Sequence, residues 1–219
     1  MGERDPDWLR QGQHDPEAVA AIYDAWADGY DRDLQDWSYR APAAVVDRLL
    51  AVDQTPGPVL DVGCGTGLVG RRLAEAGFAE VSGVDLSPKS LEIAATTGAY
   101  RDLTQLDLQS QPLPWPDDTF AALVCVGVMT YLPDVEAVVG EFCRAVAADG
   151  SVLFTQRDDL WDERGTMAAI ERLAVGGRCR IEAISDPQPY LPASDELGDV
   201  PIRVVHLLAG AGSVPADTR

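Results

Sequence analysis

The stretch Val59-Leu-Asp-Val-Gly-Cys-Gly-Thr-Gly-Leu68 constrains this chain more than any other. Val59, Leu60 and Val62 form a short apolar, β-branched run that predicts a buried strand. Gly63, Gly65 and Gly67 follow it, and Leu68 to Ala76 reads as a helix closed by Gly77. A strand that runs through a glycine turn into a helix is the nucleotide-binding entry of a doubly wound α/β sheet. Glycine tolerates positive φ there, and its missing side chain lets a ligand approach the backbone. The dinucleotide fingerprint G-x-G-x-x-G would need glycine at position 68, which is Leu68, so NAD is disfavoured.

Downstream, Glu80-Val-Ser-Gly-Val-Asp85 reads as the second strand, with Asp85 at its end, eighteen residues past Gly67. An acidic residue about 20 positions on is where a ribose hydroxyl pair finds its acceptor. The competing role for Asp85, capping the next helix, is already supplied by Ser87-Pro88. Phe120 to Val126 predicts a buried strand, Val128 to Leu132 a turn of helix, and Val135 to Ala147 an amphipathic helix. Asp149-Gly150 predicts a turn into a fifth strand over Ser151–Thr155. Arg178–Ile184 and Ile202–Leu208 read as a late strand pair, with a proline-rich acidic segment between them. Strands alternate with helices through residue 155, which predicts a mostly parallel sheet with helices on both faces. At the other end, Asp15 to Ala27 predicts a helix with Pro16 at its first position and Val19, Ile22, Tyr23 and Trp26 at helical spacing. A second helix is expected over Ala43–Ala51.

The unbroken pattern from Val59 to Gly67 resembles the first motif of class I S-adenosylmethionine (SAM)-dependent methyltransferases, and Asp85-Leu-Ser-Pro88 resembles their second. Phe120 to Asp134 is similar to a further family stretch, with Ala121 in place of its usual Asp and Tyr131 in place of its usual His. The segment Tyr23-Asp-Ala-Trp-Ala with Tyr30-Asp31, and the exit Phe154-Thr-Gln-Arg-Asp-Asp-Leu-Trp161, look most like the methyltransferase-27-like (Williams–Beuren region) subgroup. The resemblance implies a Rossmann-like class I methyltransferase fold with an N-terminal helical lid and a C-terminal antiparallel hairpin. It divides the chain into a lid segment over 1–54, a SAM-binding core over 55–209 and a loose tail over 210–219, with residues 1–15 frayed. It implies cofactor binding by Asp61, Gly63, Cys64, Gly65, Gly67, Asp85, Leu86 and Val126, with Tyr23 and Tyr30 closing over the methionine end. An acidic residue accepting from the adenine amino group matches Asp107, with the Leu108 N–H donating to the ring; Asp102 competes if the register shifts. Tyr23 and Tyr131 read equally as packed aromatics, and Tyr131 is the candidate for substrate contact. Trp37 and Tyr39 are expected beside Tyr30 and Tyr131 in the pocket wall, with Arg40 or Arg157 able to hold one carboxylate.

The implied reaction is in-line methyl transfer from SAM, leaving S-adenosylhomocysteine (SAH), with catalysis chiefly by positioning. The alternatives are non-transfer chemistry such as a cyclase or lyase on the same fold, and a SAM-binding regulatory module. Composition bounds the acceptor. The chain carries 36 acidic and 17 basic residues, a formal charge of −19, and Lys89 is its only lysine. Such a surface repels nucleic-acid backbones and anionic membranes, so a small-molecule substrate is expected. His14 and His206 with four unpaired-looking cysteines give no metal-ligand spacing, so no metal is expected, and His206 reads as a core histidine. No apolar run long enough for a membrane span and an acidic amino terminus predict a cytoplasmic protein.

Overall fold

The structure, a computed structural model, describes residues 15–52 and 57–210. The expected frayed segment before Asp15 and the tail after Gly210 lie outside the described residues. Eight strands form one sheet: β1 (Val59–Val62), β2 (Val81–Asp85), β3 (Asp102–Gln105), β4 (Phe120–Cys125), β5 (Val146–Arg157), β6 (Cys179–Ile184), β7 (Gln188–Pro189) and β8 (Pro201–Ala209). The order is β3-β2-β1-β4-β5-β8-β6, with β7 pairing β8. The first five strands run parallel, and β8 pairs antiparallel with both β5 and β6. The late strands therefore form the antiparallel edge expected of them, with β8 between β5 and β6. This is the mostly parallel, mixed α/β sheet of class I methyltransferase folds.

β1 is buried on both faces, as a central parallel strand must be. On one face, helices α5 (Val135–Ala145) and α6 (Thr166–Val175) lay Val139, Phe142 and Ile170 on Leu60, Leu123 and Phe154. On the other, α2 (Ala41–Leu50) and α3 (Leu68–Glu75) cover Val59, Val124 and Leu153 with Val45, Leu49 and Leu73. α4 (Pro88–Thr96) starts at Ser87, whose hydroxyl accepts from the Ser90 N–H as a cap should. All four cysteines are free and buried.

Two boundaries differ from expectation. The first helix, α1, runs from Pro16 to Asp36, straight through Gly29. A helical glycine costs only about 1 kcal/mol relative to alanine, and tertiary packing outweighs it here. Trp26 and Leu34, on either side of Gly29, are both buried in one cluster with Leu191 and Leu197. β5 begins at Val146 rather than Ser151. The expected turn survives as a break in register against β4, with Asp149 at φ 62°.

His206 on β8 is 1% exposed. Its Nδ1 accepts from Arg48 Nε at 3.1 Å, so Nε2 carries the proton toward Ser151 Oγ, 3.0 Å away. Burial, then the Arg48 guanidinium, push its pKa down from 6.5 to about 4. The unfolded chain therefore takes up a proton near pH 6.5 that the folded chain refuses until about 4, and the imidazole's contribution to stability is lost over that window. The melting-temperature advantage of the wild-type protein over His206→Gln should shrink steadily as pH falls through it. A constant gap would show that the imidazole titrates alike in both states.

Candidate active site

The carboxyl ends of β1, β2 and β4 converge with the face of α1 on a cleft. Ligands of open α/β sheets bind at such strand ends. Gly63, Gly65, Asp85, Leu86, Asp107, Leu108 and Val126 line it, and Tyr23, Tyr30 and Tyr131 stand across from them. The structure thus brings ten of the thirteen expected site residues to one cleft. Asp61, Cys64 and Gly67 are not on it: Asp61 and Cys64 are buried beneath the turn, and Gly67 is the N-cap of α3 at φ 94°.

The glycine turn takes its shape from left-handed residues. Gly63, Gly65 and Gly67 have φ 68°, 52° and 94°. At Gly63 a Cβ would lie 2.2 Å from Val128 Cγ2, whereas at Gly65 it would meet nothing within 4 Å and stand in open space. Asp85 ties the turn to β2. Its Oδ2 accepts from the Gly65 N–H and its Oδ1 from the Ser87 N–H, both at 2.8 Å. Each oxygen retains a lone pair, so the carboxylate can still accept from two hydroxyls. Burial raises its pKa, and the Ser87 and Gly65 amides oppose that. Asp107 accepts from the Gln109 N–H at 2.9 Å and the Ser110 hydroxyl at 3.1 Å, which fixes it at the cleft's edge.

Asp61 is 1% exposed, and its Oδ1 has no hydrogen-bond partner. Its Oδ2 accepts from the Tyr100 hydroxyl at 2.7 Å. Desolvation raises its pKa to about 7. A buried carboxylate beneath the glycine turn places negative charge below the cleft, which fits the cationic SAM that the sequence implies.

The aromatic wall is closed by contact. Tyr23 and Tyr131 share a hydrogen bond at 2.9 Å, with ring centroids 5.8 Å apart. Burial raises the pKa of Tyr23, Tyr30 and Tyr131 well above the ordinary phenol value, so all three keep their protons at neutral pH. Trp37 and Tyr39, expected in the same wall, lie off it: Trp37 packs on Trp26 and Tyr39 on Tyr190. Arg157 is 4% exposed and grips Asp159 with two nitrogens, at 3.0 and 2.5 Å.

Sequence reading missed what ties α1 down. Asp24, Asp28 and Asp31 recur at helical spacing. Asp24 accepts from the Ser87 hydroxyl at 2.5 Å and Asp28 from Lys89 Nζ at 2.5 Å. Asp31 takes the Thr66 hydroxyl and Arg71, the latter at 2.7 Å. The acidic stripe was the available signal. Arg164 was missed as well: its guanidinium donates to the carbonyls of Met129, Thr130 and Leu132, holding the short 3₁₀ turn that carries Tyr131. Among the described residues no cluster of His, Cys, Asp and Glu could hold a metal ion. No described helix is long and apolar enough to cross a membrane.

Residues 59–150 match a methyltransferase-domain family. The chain carries a methyltransferase domain. Its methyltransferase domain is 44% identical over 114 residues to human methyltransferase-like protein 27, covering 50% of this chain and 46% of that protein. It is 32% identical over 101 residues to a ubiquinone biosynthesis O-methyltransferase of Neisseria meningitidis, covering 44% of this chain and 42% of that protein. The chain thus spans less than half the length of these relatives. In three dimensions it is similar to the cyclase SpnF, with a TM-score of 0.62 at 18% identity, over 79% of this chain and 82% of that one, a likeness of fold. The family's cofactor is SAM.

Proposed function

We propose that this methyltransferase domain moves a methyl group from SAM to a small molecule in the cytoplasm, chiefly by positioning. The observation that carries the reading is the joining of Gly65, Asp85 and the tyrosine wall in one cleft at the strand ends. In this reading Gly63 and Gly65 let the cofactor approach the backbone, and Asp85 accepts from the ribose hydroxyls. Leu86 and Val126 pack on the adenosine, Asp107 and the Leu108 N–H meet the adenine, and Tyr23 and Tyr30 close the methionine end. Asp61 supports the turn from below, with Cys64 and Gly67 shaping it. The segment over 1–54, α1 included, serves as the lid on a core over 55–209.

When bound, SAM supplies a methyl on a cationic sulfur, which departs as a neutral thioether. No developing anion needs a hole, so this chain's own task is to hold the acceptor in line and keep water out. Tyr131, protonated at neutral pH, donates a hydrogen bond to the substrate rather than taking its proton. The acceptor class follows from charge: −19 with a single lysine offers no basic stripe for a phosphate backbone. A relative named for O-methylation in ubiquinone biosynthesis favours the same class.

Incubated with methyl-labelled SAM, the protein should label members of a small-molecule panel and leave tRNA and duplex DNA unlabelled. SAH should form in step with product, which separates transfer from chemistry in which SAM is only bound. Robust, salt-sensitive labelling of a nucleic acid would overturn the reading.

A further inference from the structure

We propose that Tyr100 is a positioning residue of the cofactor turn, clamping both ends of that turn through a single hydroxyl. The inference rests on the cofactor reading of the glycine turn given above. Tyr100 lies between α4 and β3, in neither flanking element of the turn. Its hydroxyl donates to Asp61 Oδ2 at 2.7 Å, on the strand that enters the turn. The same oxygen accepts from the Gly70 N–H at 3.2 Å, in the helix that leaves it.

Both contacts meet a need that the turn itself cannot meet. The first turn of a helix leaves its N–H groups without intrahelical partners. In α3 the first bond along the helix is from the Arg71 N–H to the Gly67 carbonyl, and Gly67 has no side chain to cap with. The Tyr100 hydroxyl stands in for that cap. Among the described residues the Tyr100 hydroxyl is the side-chain donor to Asp61, and the Gly70 N–H faces the same carboxylate.

The sequence makes room for the ring. A Cβ on Gly70 would lie 2.2 Å from the Tyr100 ring, one on Gly83 2.9 Å from it, and one on Gly67 3.2 Å from it. Three glycines on α3, β2 and the turn thus form the slot. Removing the hydroxyl alone should take away its contacts to Asp61 and Gly70 together while the ring still fills the slot.

The charge around Asp61 decides how this is read out. Asp85 faces it from β2, Cys64 from the turn and Cys125 from β4, and Tyr100 supplies the hydrogen-bonding proton. Asp85 disfavours the Asp61 carboxylate and Tyr100 favours it. SAH carries an ammonium group, which an ionised Asp61 attracts and a protonated one does not. SAH affinity should therefore weaken as pH falls through about 7, the Asp61 midpoint.

The test is calorimetric titration of the full chain with SAH across that midpoint, for wild type and Tyr100→Phe. The variant should bind about tenfold more weakly at neutral pH, since one hydrogen bond to a charged group is lost. Its midpoint should move to higher pH. Equal affinity and midpoint, or a lower melting temperature with the midpoint unmoved, would overturn the clamp. Amide exchange by NMR reads the geometry separately. A Gly70 N–H protected in the wild type and exposed in Tyr100→Phe supports the clamp, and an unprotected one in the wild type overturns it even if the variant does not fold. Failure of the wild type to bind SAH at any pH would instead defeat the cofactor reading, with the Gly70 exchange still deciding the clamp.

Discussion

Replacing Gly65 with valine should take SAM and SAH binding below detection in a calorimeter while the chain still unfolds cooperatively. A Cβ at this position meets no protein atom within 4 Å and stands in the open cleft. A branched side chain would fill the space where the ligand must approach the backbone. The backbone cost is separate and bearable. Holding a β-branched residue at φ 52° costs on the order of 1–3 kcal/mol, against about 5–15 kcal/mol of total stability for a typical domain. Gly63 offers a poorer test, because there the added carbon strikes Val128 and loss of fold would accompany loss of binding. Wild-type affinity in Gly65→Val would move the site elsewhere.

The second large effect is at Asp85, and here the structure changes which substitution is informative. From sequence, Asp85→Ala is expected to weaken binding far more than it lowers stability. The carboxylate, however, also holds the Gly65 and Ser87 N–H groups. Alanine would leave both donors unpartnered, at about 1–3 kcal/mol each, so its melting temperature should fall clearly. Asp85→Asn keeps one acceptor oxygen and removes the charge. It should melt closer to wild type while SAH affinity drops about ten- to a hundred-fold. Binding by both variants at wild-type strength, with only the melting temperatures lowered, would make Asp85 a structural tie of the turn.

These residues were legible because their signals are local. The strand, the three glycines and the helix of residues 59–75 adjoin in sequence, and Asp85 is recognisable by its distance from the turn. What sequence reading missed acts across the fold. Tyr100 reaches Asp61 over 39 positions and the Lys89–Asp28 contact spans 61. Trp37 and Tyr39 carried the same aromatic signal as Tyr30, yet Trp37, capping α1, packs back on Trp26, and Tyr39, past the bend with Ser38 at φ 60°, packs on Tyr190. Gly29 shows the opposite failure, a local breaker overruled by anchors on both sides of it.

The insertion of β8 between β5 and β6 also sets an order of assembly. As the chain leaves the ribosome, β6 is complete by Ile184, yet the strand that it pairs with begins only at Pro201. Until then the β5 edge from Ser151 to Arg157 has no neighbour on that side, and it is long and wholly buried in the finished fold. An open, apolar strand edge is a template for pairing with another chain. The interval between the two strands is thus a stage at which the nascent protein presents an open apolar edge, and it ends when β8 arrives.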